Sequence, residues 1–211
     1  MPLDVLLQNI SVVSGIFPVV VMLINYRRLD KILKLASLYF IISFLVDSYL
    51  WLSFHEFREK NTMPVFHSYV IISILLLGLV YYNMYINTKL KIVAIVLCSI
   101  TMLIALFYAQ SILLYPSVSI TSLSVLLIIL SLIYFYQLLN PHEFVHLEKQ
   151  GLFWINTGIL FYSAVNIFLF MVLNSIPKAE QHNYYMIHSV TNIIANILYS
   201  IGLLCKPQKT S

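Results

Sequence analysis

Seven apolar stretches, each about twenty residues long, dominate this chain and leave it little choice of architecture. A bilayer core about 30 Å thick is crossed by roughly 20 helical residues. The stretches run from Val5 to Asn25, Ile32 to Phe54, Val65 to Tyr85, Ile92 to Ala109, Ser119 to Leu139, Leu152 to Leu173 and Tyr184 to Cys205. Breaks that are polar or contain Pro or Asn separate them. Of the 211 residues, 61% are hydrophobic and only 9% charged, against about 25% charged in soluble domains. A globule of this size could not hide that much apolar surface from water, so the expected solvent is lipid.

Within lipid, an open backbone group has no partner, and only helices or closed barrels cross. Barrel strands alternate in polarity, and the run Ile92-Val-Ala-Ile-Val-Leu97 does not. All seven spans therefore read as helices, in an all-α polytopic bundle forming one transmembrane domain over residues 1–211. The first span lacks the basic start of a signal peptide and holds Gln8, Asn9 and Pro18. It reads as a retained helix, with Pro18 as the expected kink.

Nine of the twelve Lys and Arg residues (Arg27, Arg28, Lys31, Lys34, Lys89, Lys91, Lys149, Lys206 and Lys209) fall in the odd-numbered loops and the tail. Only Arg58, Lys60 and Lys178 fall in the even-numbered loops. Positive residues stay on the cytoplasmic side, which places the N-terminus outside and the C-terminus inside. Short connections favour an up-down order in which sequential helices are neighbours. A pair of three-helix repeats flanking a linker helix stays open. A net charge of +4 with no polybasic run gives nucleic acid no footprint.

Ionisable groups inside a span are costly and point to function. Asp47 is the one carboxylate so placed, about two turns from the outer end of the second span. Tyr39, Ser43, Asp47 and Trp51 recur every fourth residue and share a face. In the seventh span His188, Asn192 and Asn196 do the same, flanked by Tyr185 and Tyr199. The sixth contributes Asn156, Ser163 and Asn166, and the third begins near His67. The topology puts Asp47, His67, Asn166, His188 and Asn192 in the outer half of the membrane. Converging there with Trp51 and Asn196, they would line a polar ligand pocket, with Asp47 in reach of His67, His188 or Asn192. The competing reading is interhelical hydrogen bonding, worth about 0.6–2 kcal/mol per contact. A carboxylate suits that role poorly when Asn would serve. An Asp–His pair suits proton sensing or a cationic ligand.

Metal chemistry has two openings and neither fits well. His55, His67, His182 and His188, with Glu56, Glu59 and Glu180, lie on the outer side. Zinc hydrolases of the alkaline ceramidase and adiponectin-receptor type share a seven-helix layout, but their last helix carries histidines one turn apart. Here His182 and His188 are six apart. The segment His142-Glu143-Phe144-Val145-His146 matches H-E-x-x-H. It follows Asn140-Pro141 in a cytoplasmic loop with no third histidine on that side, so helix-initiation chemistry explains it better. Glu143→Gln is expected to leave function intact. The seventh span has no Schiff-base lysine, and paired haem histidines would require His67 and His188 near the surface. Cys98 and Cys205 read as packing thiols, and the tyrosines at span ends, Tyr81, Tyr82 and Tyr85 among them, as an aromatic belt. No cofactor is expected.

The segments Phe153-Trp-Ile-Asn-Thr-Gly-Ile-Leu-Phe-Tyr162 and His188-Ser-Val-Thr-Asn-Ile-Ile-Ala-Asn-Ile-Leu-Tyr199 resemble the last two helices of small seven-helix proteins of Bacteroidetes-type bacteria. That family is similar in layout to membrane input regions of bacterial sensor kinases. The resemblance implies a bacterial inner membrane and a receptor-like role. This chain ends about six residues after the last span, so its output is expected to be a separate cytoplasmic signalling protein. The leading expectation is a non-enzymatic receptor or sensor for a small ligand or proton. A small-solute carrier comes second and a zinc-dependent membrane hydrolase third.

Overall fold

The computed structural model describes residues 3–53, 61–109, 113–139, 149–172 and 181–205. Eight helices form there, with no strand among the described residues: α1 (Leu3–Ser14), α2 (Ile16–Asn25), α3 (Lys31–Leu52), α4 (Met63–Met84), α5 (Thr88–Tyr108), α6 (Ser117–Leu138), α7 (Gly151–Val172) and α8 (Gln181–Leu204). α1 and α2 together make the first span, so seven spans are long and apolar enough to cross a membrane. By that measure the chain is an integral membrane protein.

Several helices begin earlier than hydropathy alone suggests, because polar residues start them. Asp30 accepts a hydrogen bond from the Leu33 amide at 2.7 Å and caps α3. Asn87 accepts from the Lys89 amide at 2.9 Å and caps α5. The proline effect in the first span falls upstream of Pro18 itself. Pro18 has no N–H to offer the Ser14 carbonyl and its ring crowds that oxygen. The helix accordingly breaks at Gly15, whose amide turns back to Val12 O at 3.1 Å.

Each span packs on its neighbours in sequence, and α8 returns to lie along α1 and α2. The result is a ring of helices closed by its first and last members. Seven crossings put the start of α1 and the end of α8 at opposite ends of the bundle. The end that carries the start of α1, here the N-terminal end, also carries the end of α3 and the start of α8. Pairs such as Asn9–Trp51 and Ser11–Asn192 fix this arrangement.

The polarity of the bundle is inverted relative to a soluble protein. Large apolar side chains face outward, with Phe168 71% and Leu103 67% exposed, and a surface of this kind is stable only in lipid. Ser37, Ser131, Asn156, Asn166 and Thr191 are buried instead. Small and polar residues at helix contacts are what lipid-embedded packing favours. Gly151 and Gly202 meet backbone to backbone, since a Cβ on Gly202 would stand 2.7 Å from the Gly151 carbonyl oxygen.

The tyrosines near the end of α4 correct one expectation. Tyr81 and Tyr85 are fully buried rather than interfacial. Tyr81 OH bonds to Ser131 Oγ at 2.6 Å and donates to Asn156 Oδ1 at 2.7 Å. Tyr85 OH donates to the Leu130 carbonyl at 2.7 Å. Interior acceptors hold these hydroxyls better than headgroups would. Tyr82 alone of the three is exposed, with the Lys91 ammonium 5.3 Å from its ring centroid.

Candidate ligand cavity

A cavity of about 500 Å³ opens inside the ring, walled by α1, α3, α4, α6, α7 and α8. It occupies the half nearer the N-terminal end and reaches inward as far as Tyr39 and Tyr199. The four-residue stripe of α3 faces it, so Tyr39, Ser43, Asp47 and Trp51 all line the wall. His188, Asn192 and Asn196 of α8 line the opposite side. Helical periodicity brings each stripe to one face, and burial away from lipid brings the two faces together.

The polar groups are held by contacts along the seam with α1. Trp51 Nε1 donates to Asn9 Oδ1 at 2.8 Å. Asn192 Nδ2 donates to Ser11 Oγ at 3.0 Å, and Asn196 Nδ2 to Ser14 Oγ at 2.9 Å. Ser14 Oγ then donates to the Ser11 carbonyl at 2.6 Å. The Asp47 carboxyl has its hydrogen-bonding neighbour in Asn192, and Tyr69 and Tyr162 lie within electrostatic range of it. Tyr69 OH also bonds to Tyr39 OH at 3.0 Å and to Ser43 Oγ at 3.1 Å, which ties α4 to α3.

His188 is engaged elsewhere. Its Nδ1 donates to Asn166 Oδ1 at 2.7 Å, and Asn166 Nδ2 donates to the Tyr162 carbonyl at 2.8 Å. Asn166 therefore stands behind His188 and orients it rather than lining the cavity. His67 is buried at the start of α4 and donates from Nε2 to the Leu114 carbonyl at 3.2 Å, apart from the cavity wall. Of the seven residues singled out in the sequence, Asp47, Trp51, His188, Asn192 and Asn196 converge on one space. The carboxyl's hydrogen-bonding neighbour there is the Asn192 amide.

Sequence reasoning passed over Ser11 and Ser14, and over Tyr69 and Tyr162. The serines are three apart on α1 and share a face with Gln8, a spacing that could have marked them. Tyr162 sits mid-span and Tyr69 nearly two turns inside α4, facing the interior rather than the headgroup level where a belt belongs.

No three His, Cys, Asp or Glu side chains come together among the described residues in a way that could hold a metal. His55, Glu56, Glu59, Glu180 and the segment from His142 to His146 lie outside the described residues, as does the side chain of His182. Cys98 and Cys205 are partly buried free thiols, and Cys98 packs against Gly78. No family model matches the chain, and neither a curated protein nor a solved structure matches it.

Proposed function

We propose that this chain is a seven-helix membrane receptor or sensor, with its N-terminus outside and the cavity open to the exterior. The observation that carries the reading is a cavity of about 500 Å³ holding a carboxylate inside an otherwise lipid-adapted bundle. Ligand sites commonly have volumes of about 300–1,000 Å³ and combine apolar walls with a few placed polar groups. The other half of the bundle is tied by the Tyr81–Ser131–Asn156 contacts and by the close approach of Gly151 and Gly202. A cavity confined largely to one half of the bundle suits a receptor better than a carrier, which must open to both sides.

Occupancy would act through the seam. Asn192, Asn196 and Trp51 line the cavity and also hold α1. A ligand that competes for those amides shifts the equilibrium between two packings of α1, provided it binds them unequally. The change reaches the basic loops of the cytoplasmic side, where a signalling protein would read it. Native mass spectrometry of protein released from its own membranes tests the site. A small adduct is expected on the wild type and is expected to vanish from Ser43→Trp, which fills the cavity. Absence of any adduct from the wild type defeats the reading. Solute flux into proteoliposomes would transfer the assignment to a carrier.

A further inference from the structure

We infer that the ligand of this cavity is a small organic cation, an amine or a quaternary ammonium; this rests on the cavity being a ligand site. Asp47 is the only acidic residue among the described residues lining it, and no Lys or Arg is among them. Its described hydrogen-bonding neighbour, Asn192, is a neutral amide already donating to Ser11. A carboxylate facing an intramembrane cavity with no Lys or Arg among the described lining residues is costly in a membrane interior, and a cationic ligand offsets that cost.

His188 lines the same space and is held by its neighbours on α7. Its Nδ1 is directed at Asn166, and its ring stands edge-on to Tyr162 with centroids 5.9 Å apart. Much of the remaining wall is aromatic, interspersed with aliphatic side chains. Phe44 from α3, Phe66 and Tyr69 from α4, Tyr162 from α7 and Tyr199 from α8 present rings to the same space. An aromatic face carries negative electrostatic potential and attracts ammonium groups within about 6 Å of its centroid. Carboxylate and rings thus select the same charge, and an anion would meet repulsion from both. A primary amine can donate to Asp47, whereas a quaternary nitrogen would rest on the rings with Asp47 as counter-charge. Gln8, Ser43 and Asn196 remain as polar partners for the far end of the molecule.

The test uses the full chain in nanodiscs and three probes of one size: 2-phenylethylamine, its N,N,N-trimethylammonium form and neutral 2-phenylethanol. Saturable binding is read by calorimetry and by the rise in Tm. Both cations are expected to bind, and the alcohol at least about tenfold more weakly. Asp47→Asn is expected to lose about tenfold or more of cation affinity, as loss of a buried charge partner does, while its Tm without probe stays near wild type. Tyr69→Phe keeps a ring and is expected to retain cation binding, whereas Tyr69→Leu loses it several-fold. That pair decides the matter even if Asp47→Asn fails to fold. Equal binding of the alcohol and the amines, or an unchanged affinity in Tyr69→Leu, overturns the cation assignment and leaves the cavity a ligand site. Failure of all three probes to bind, alongside a small neutral or anionic adduct on the native protein, also overturns it. Failure of all three with no adduct at all removes the site reading itself.

Discussion

Asn192 connects the two parts of the site. One amide is the hydrogen-bonding neighbour of the Asp47 carboxyl on the cavity side and donates to Ser11 on the seam side. Asn192→Leu removes the amide from beside both groups in a low-dielectric interior, and loss of a partner by a buried polar group costs about 1–3 kcal/mol. Thermal unfolding in detergent should show a loss of that size and, on the proposed function, loss of probe binding. Tyr81→Phe supplies the contrast. It removes a hydroxyl shared with Ser131 and Asn156 in the other half of the bundle. It should cost about 0.6–2 kcal/mol, as interhelical hydrogen bonds in membranes do, and leave the affinity of the cavity unchanged. Asp47 was legible in the sequence because a lone acid inside an apolar run is conspicuous, and its neighbours because they recur at helical spacing. Ser11 and Ser14 were not, since a serine in a membrane helix can bond its own backbone and carries no sign of a partner. The direction of His188 was likewise unreadable, because it depends on how α7 and α8 are rotated about their axes.

Among the elements, α7 and α8 are the most tightly apposed. A Cβ on Gly202 would meet the Gly151 carbonyl and a side-chain carbon of Ile155 at 2.8 Å, while one on Gly158 would meet the Tyr199 ring at 2.6 Å. Backbone cannot yield as a flexible side chain can, so Gly202→Val should force the two helices apart. Overpacking of this kind costs about 1–3 kcal/mol. Because α8 carries one wall of the cavity, Gly202→Val should also weaken probe binding, whereas Leu103→Ala on the lipid-facing side of α5 should change neither property. Calorimetry and unfolding of the two variants side by side check this. The spans themselves were readable from apolar length alone. Their starts were less so, since capping by Asp30 and Asn87 lies in polar sequence, and the break at Gly15 shows a proline acting one turn before its own position.

For the molecule as a whole, short connections made the order of neighbours readable, and α8 returning to α1 closes the ring. The cavity was not readable, because it is space left between helices, not a property of any one of them. Orientation rests on the nine basic residues of one side against three of the other. A reporter fused after Ser211 should therefore be active in the cytoplasm, and activity on the far side of the membrane would reverse the topology. The closed ring also bears on biogenesis. The first span leaves the ribosome long before the last, yet the hydroxyls of Ser11 and Ser14 are matched by Asn192 and Asn196, almost two hundred positions later in synthesis at separations of 181 and 182 residues. Until α8 has been inserted, the Ser11 and Ser14 hydroxyls lack these amide partners, and α1 is held by its own backbone and by α3. The contact that closes the ring therefore forms only after every span between α1 and α8 has been made.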